Sequence, residues 1–127
     1  IEKLDESCLM FVSILYNLYE DFWRLRPEVN KVLCREMTFV LKDHQRQGIA
    51  QHLQHLDLDF DRLRESGIDG ILSEASSFAN QALLTKNGYV ELARSKREEY
   101  QRRNGEMVEF DDGTSSVKLV YLDFNKA

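Results

Sequence analysis

The run Cys34-Arg35-Glu36-Met37-Thr38-Phe39-Val40-Leu41-Lys42-Asp43-His44-Gln45-Arg46-Gln47-Gly48-Ile49-Ala50 constrains this chain more than any other stretch. It reads as a strand, a polar turn and the start of a long amphipathic helix. Over 31–40 the residues alternate: Cys34, Glu36, Thr38 and Val40 fall on one side, and Arg35, Met37 and Phe39 on the other. The turn carries Gln45-x-x-Gly48-x-Ala50. Small residues there let backbone N–H groups at a helix start approach an anion closely, and a diphosphate suits such a cradle. Arg46 adds a charge-assisted contact. An ordinary loop between strand and helix uses the same residues, so the spacing alone leaves both readings open.

The rest of the chain supplies the frame. Residues 4–25 have helical spacing, with Cys8, Val12, Leu15, Tyr19 and Phe22 on one stripe and Leu9, Tyr16 and Trp23 beside it. That apolar face is wide, which fits deep packing, and its aromatics equally fit the wall of an acceptor pocket. Pro27 ends the helix. From Gln45 a helix is expected to about Glu65, with Ile49, Leu53, Leu56, Phe60 and Leu63 on its apolar stripe and Ser66-Gly67 as its stop. Ile68 to Ser73 reads as a short strand. Ser76 or Ser77 caps a helix through Asn87, Gly88 closes it, and Tyr89 opens another strand. Asn104-Gly105 and Asp112-Gly113 are turn signals. Val117 to Phe124 is apolar on both faces, which places it inside a sheet. Helix, strand, helix, strand, helix and a strand-rich tail make one α/β domain over 1–127, with a crossover on each of two successive helices.

Composition narrows the partners. With 127 residues there is room for one domain with a real core. A net charge of −5 argues against a nucleic-acid partner and mildly suits a cationic small molecule. No apolar run reaches membrane-spanning length and no signal peptide is visible, so no membrane partner is expected. Two cysteines, Cys8 and Cys34, without a Cys-x-x-Cys, suit a reducing, cytoplasmic compartment. His52-x-x-His55 with Asp59 has helical metal-ligand spacing but falls off the apolar stripe, so the three read as surface residues and no metal is expected. Ile1 opens the chain without a Met, which suits a fragment or a processed chain.

Two segments together carry a resemblance. Val40-Leu-Lys-Asp-His-Gln-Arg-Gln-Gly-Ile-Ala, between a buried strand and a long helix, resembles the acetyl-CoA loop of the GNAT N-acetyltransferase superfamily. Ser77-Phe-Ala-Asn-Gln-Ala-Leu-Leu-Thr-Lys-Asn-Gly-Tyr89 resembles that family's helix-to-strand motif, at the expected separation. The first helix through Pro27, and the ending Tyr100 to Asn104-Gly105 to Val108 and Val117 to Phe124, look most like the invertebrate arylalkylamine (dopamine-type) branch. The resemblance implies a GNAT-like α/β fold with a mixed, partly parallel sheet flanked by helices, its N-terminal strands missing. Arg46 stands where a Gly is common, Ala50 replaces the usual last Gly, and Leu84 sits where many members have a Tyr that protonates the leaving thiolate. The catalytic glutamate of the dopamine-type branch lies in the missing part.

What the resemblance implies for chemistry is transfer of an acetyl group from acetyl-CoA to a primary amine, arylalkylamine or polyamine in type. An alkyl ammonium with pKa about 10 costs roughly 4 kcal/mol to deprotonate near pH 7, so a general base is wanted. Glu36 is the candidate base, because a carboxylate buried in mid-strand has a raised pKa; the alternative is an ion pair with Arg35 on a neighbouring element. The N–H groups at Phe39 or Val40, at the splayed strand end, would stabilise the oxyanion, and the same edge would pair with the pantetheine arm. Gln45, Arg46, Gln47, Gly48, Ile49 and Ala50 would hold the diphosphate. Asn80 would contact the pantetheine arm. Ser76 and Ser77 would donate to the departing thiolate or simply cap their helix. The rival reading is a catalytically degenerate GNAT-fold module that binds CoA or only a protein partner, and a structural helical adaptor stands third. Pairing with a missing N-terminal segment or with a second copy is expected, since the sheet would otherwise present an open edge.

Overall fold

Lys118–Asp123 (β4) is the axis of the sheet, as its two apolar faces require. The computed structural model describes residues 6–36, 38–107 and 116–125. Around β4 lie Val32–Arg35 (β1), Gly70–Ala75 (β2) and Val90–Arg94 (β3), in the order β1-β2-β4-β3. β1 and β2 run parallel, from Val32 opposite Gly70 to Arg35 opposite Ser73, whereas β2–β4 and β4–β3 are antiparallel. This is the mixed, partly parallel sheet flanked by helices that the resemblance implied. The turn at Asp112-Gly113 lies outside the described residues.

Helices cover both faces. Glu6–Leu25 (α1) packs Ile14, Leu18 and Phe22 onto one face, against Leu72, Val117, Leu119 and Tyr121. The stripe differs from the one expected: Cys8 and Val12 are exposed, as are Leu9, Tyr16 and Trp23. Apolar residues run most of the way around this helix, so two stripes compete, and only the sheet decides which is buried. The helix ends at Leu25, just before Pro27.

The other face carries Ile71, Ala75, Leu84, Tyr89, Val120 and Phe124, covered by Phe78–Lys86 (α4) and by Phe60 and Leu63 of Phe60–Glu65 (α3). The single helix expected from Gln45 to Glu65 is broken in two, and a 3₁₀ turn precedes it. Lys42–His44 is a 3₁₀ turn, Ile49–Gln54 (α2) a short helix, and α3 begins afresh. The break has a local cause. Asp57 takes a left-handed conformation (φ 59°), and the Asp59 carboxylate accepts the Arg62 N–H at 3.2 Å as an N-cap. Leu53 and Leu56 are consequently exposed.

α2 is tied to the end of α4 by a polar network that the sequence did not announce. Asn87, at the end of α4, exchanges hydrogen bonds with Gln51 and donates to Oε1 of the buried Gln54 at 2.7 Å. Gln81 performs a similar service inside α4: its Nε2 donates to the carbonyls of Ala75 at 3.0 Å and Ser116 at 2.7 Å.

Candidate active site

The β1–β2 ladder stops at Arg35 and Ser73, while β2 continues beside β4 to Ala75. The strand expected to run to Val40 is therefore a ladder only as far as Arg35, and the chain beyond it leaves the sheet. The gap opens a cavity of about 890 Å³, within the range of small-molecule sites. Its walls are Thr38, Phe39 and Val40 on one side and Ser73, Glu74, Ser76 and Ser77 on the other.

One end of the cavity is the loop 44–50. Gln45 Nε2 donates to the Val40 carbonyl at 3.0 Å and closes the loop on itself. Arg46 (φ 63°) and Gly48 (φ 79°) both adopt the left-handed conformation, which turns successive N–H groups toward a common side. A Cβ on Gly48 would meet open space, so that glycine is needed for its backbone angle rather than for room. Among the described residues, no acceptor takes the N–H groups of Gly48, Ile49 or Ala50. Gln45, Arg46, Gly48, Ile49 and Ala50 line the cavity as expected, and Gln47 does not. Phe39 is 75% exposed on the wall, and Val40 beside it is half-buried. Their N–H groups have no acceptor among the described residues.

The two faces of β1 give the cavity two chemistries. On the α4 side, Arg35 Nη1 donates to Asn80 Oδ1 at 3.3 Å, and the Arg35 carbonyl accepts from Ser73 Oγ at 3.1 Å. Arg35 makes no ion pair among the described residues, and its Nη2 is buried without a partner. Burial pushes its pKa down, the response of a cation held away from water and counter-charge. Ser77 Oγ accepts the Asn80 N–H at 3.2 Å, so it is the N-cap of α4 as well as part of the wall; Ser76 lines the wall beside it.

On the α1 side stand Tyr19, Cys34, Glu36 and Glu74. Glu36 is exposed rather than buried, and its partner is Tyr19, whose hydroxyl donates to Oε1 at 2.9 Å; Arg35 points to the opposite face. The burial expected of Glu36 belongs to Glu74 instead. Burial first and the Glu36 charge second push the Glu74 carboxyl up to about 8, with nearby Tyr19 acting in the opposite sense. The single Tyr19 proton goes to Glu36, and Glu74 Oε2 is buried with no donor. Burial first, then its hydrogen bond to Glu36, raises the Tyr19 phenol well above its usual range, so it remains a donor. Burial likewise raises Cys34 and keeps its thiol protonated.

Sequence reasoning missed Glu74 because the expected strand stopped at Ser73, one residue short. Had the strand been carried to Ala75, Glu74 would have shown the same mid-strand anomaly that drew attention to Glu36. His55 was also misplaced. It is half-buried, packs edge-on to Phe60, stacks on Tyr89 and contacts the Tyr89 hydroxyl through Nε2 at 3.1 Å, and burial lowers its pKa. His52 is exposed and Asp59 is occupied as a helix cap, so the three do not converge.

The mixed sheet with helices on both faces is a GNAT-like fold, shared with two solved structures. The chain superposes on the crystal structure of a mosquito arylalkylamine N-acetyltransferase-like 5b with a TM-score of 0.64 and 17% identity, over 86% of this chain and 50% of that one. It superposes on arylalkylamine N-acetyltransferase 2 from Aedes aegypti with a TM-score of 0.67 and 20% identity, over 91% of this chain and 55% of that one. The chain thus spans about half the length of the solved structures it matches. No protein-family model matches it, and no curated protein does. Among the described residues, no helix is long and apolar enough to cross a membrane.

Proposed function

We propose that this chain is the cofactor-binding and C-terminal portion of an acetyltransferase, moving an acetyl group from acetyl-CoA to a primary amine of arylalkylamine or polyamine type. The observation that carries this reading is the cavity at the β1–β2 splay, with unengaged loop amides at one end and two carboxylates at the other. In this reading the amides of Gly48, Ile49 and Ala50, with Arg46 and Gln45, hold the diphosphate. The edge at Thr38 to Val40 pairs with the amide-bearing pantetheine arm. The N–H of Phe39 or Val40 donates to the oxyanion of the tetrahedral intermediate, a contact worth about 10² to 10³ in rate. Arg35 and Asn80 offer donors to the arm. Ser76, or Ser77 through the hydroxyl proton its capping role leaves free, donates to the departing thiolate.

The acceptor enters on the α1 side, where Phe11, Leu15 and Tyr19 supply an apolar wall and Glu36 and Glu74 a negative charge. The reading further places the protein in the cytoplasm, which suits its two free cysteines. It gives the protein no nucleic-acid or membrane partner. It also places a further strand, from a preceding segment or a second copy, along the outer edge of β1, which is an edge strand of the sheet.

A thiol-release assay with acetyl-CoA and a panel of amines tests the proposal, together with calorimetric titration of CoA. Release of CoA thiol that depends on an arylalkylamine or polyamine supports it. Heat with CoA but no release with any amine favours the rival, a degenerate CoA-binding module. The half-length match, Arg46 and Leu84 are what favour that rival. Neither heat nor release removes the acetyl-transfer reading and leaves a protein-interaction module.

A further inference from the structure

We propose that Glu74 is the group that receives the proton of the incoming amine, with Glu36 beside it holding the hydroxyl of Tyr19. The proposal rests on the acetyl-transfer reading and names a residue for its acceptor half. Three geometric facts support it. Glu74 lies in the cavity wall one residue past the last β1–β2 pair, so no strand covers it on that side. It alternates with Ser73 and so shares the face of Leu72, which packs toward α1, the apolar wall of the acceptor side. Its Oε2 is buried with no donor, although Tyr19 stands nearby, because the Tyr19 proton is committed to Glu36.

The groups that bear on Glu74 are few. From α1 comes Tyr19 and from β1 Glu36, and Cys34 feels both carboxylates. Its cross-strand neighbour on β4 is Leu119, which carries no charge. Lys118, the next residue, is taken by Glu91 at 3.4 Å, and Arg35 is on the opposite face with Asn80. Among the described residues no cation pairs with Glu74 or Glu36, so the Glu36 charge adds to burial in favouring the protonated Glu74 carboxyl. Glu74, the half-buried member, holds the proton, and Glu36 is the exposed one, accepting the Tyr19 hydroxyl.

The proton balance then follows. The free protein carries one proton on the pair, and the amine arrives as an ammonium ion with one proton more than it can keep and still react. As the ammonium enters, the Glu74 proton leaves to solvent through the open cavity. The Glu74 carboxylate then takes a proton from the ammonium nitrogen and restores a neutral amine with a lone pair. That lone pair forms the C–N bond at the thioester carbonyl, giving the tetrahedral oxyanion, and the C–S bond breaks when that intermediate collapses. The second nitrogen proton, lost from the tetrahedral intermediate, goes to the departing thiolate. Binding an amine therefore releases the proton that Glu74 held, up to one at pH 7, whether or not the amine has yet been deprotonated by Glu74.

Calorimetry of the full chain with phenethylamine and with spermidine, in two buffers of different ionisation enthalpy at pH 7, counts that proton. The expected result is proton release by the wild type, up to one per amine bound, and close to none by Glu74→Gln, with CoA affinity unchanged in the variant. Glu36→Gln should weaken the amine and reduce the release, since Glu74 then loses its negative neighbour and its carboxyl moves down. Wild-type amine binding without proton release, release unaltered in Glu74→Gln, or absence of amine binding by a chain that binds CoA would overturn the assignment and leave the cofactor reading standing. Failure to bind CoA at all would instead remove the reading beneath it.

Discussion

Glu74→Gln should convert a pH-dependent stability into a flat one. A carboxyl raised from 4.5 to about 8 in the folded state holds a proton that the unfolded chain releases. The folded state binds more protons over that window, so its stability falls as pH rises. The contribution is complete below the ordinary carboxyl range, declines from about pH 4.5 upward and is gone above about pH 8. In a dry site the full displacement would correspond to about 5 kcal/mol. Solvent reaches much of this side chain, and screening reduces the figure to about 2 kcal/mol. Glutamine keeps the shape and cannot ionise. The variant and the wild type should therefore differ by less than about 1 kcal/mol at pH 5, whereas at pH 9 the variant should be the more stable by about 2 kcal/mol. For a domain of this size that is a rise in Tm of about 5–10 °C. Urea unfolding at pH 5, 7 and 9, read by far-UV circular dichroism, measures the difference directly. Parallel behaviour of the two proteins at all three values would show that the Glu74 carboxylate is already ionised at neutral pH and refute the burial argument.

The remaining predictions concern the frame. Gln81→Ala strips two carbonyls, those of Ala75 and Ser116, of a buried donor and should cost about 2–3 kcal/mol by denaturant unfolding. Gly70→Ala would drive a Cβ into the Leu122 carbonyl and the Tyr121 ring, so it should cost more than about 3 kcal/mol or prevent folding, judged by the yield of soluble protein and its Tm. Ser77→Ala removes the α4 N-cap and should cost about 1 kcal/mol. Its effect on thiol release, compared with the cap-preserving Ser77→Asp, separates capping from proton donation.

Much of the frame was legible because its signals are local. The continuous apolar run of β4 can lie only at the centre of a sheet, Ser77 and Gly88 bracket α4, and Pro27 limits α1. The loop around Gly48 could be singled out because its φ of 79° tolerates few other residues. Less legible was whatever depends on which of two competing patterns the fold selects. The stripe on α1 was misjudged because apolar residues occupy nearly its whole circumference. The break after α2 turns on Asp57 and Asp59, whose backbone and capping preferences outweighed an apolar spacing that continued across them. The site divides in the same way. Asn80 and the loop residues other than Gln47 line the cavity, but the half-buried carboxylate is Glu74 rather than Glu36. Burial of one strand residue depends on where its neighbour departs, and the departure of β1 after Arg35 is a property of the sheet rather than of any short segment.

The central claim is that the amides after Asp43 face the cavity and grip a diphosphate. Amide chemical shifts of the ¹⁵N-labelled protein, followed through a titration with coenzyme A, test it residue by residue. The account predicts large, saturable shifts at Gly48, Ile49 and Ala50, with smaller ones along Thr38 to Val40, and the same loop response to 3′,5′-ADP but not to pantetheine alone. Unmoved loop amides at saturating coenzyme A, or shifts confined to another face of the sheet, would contradict it.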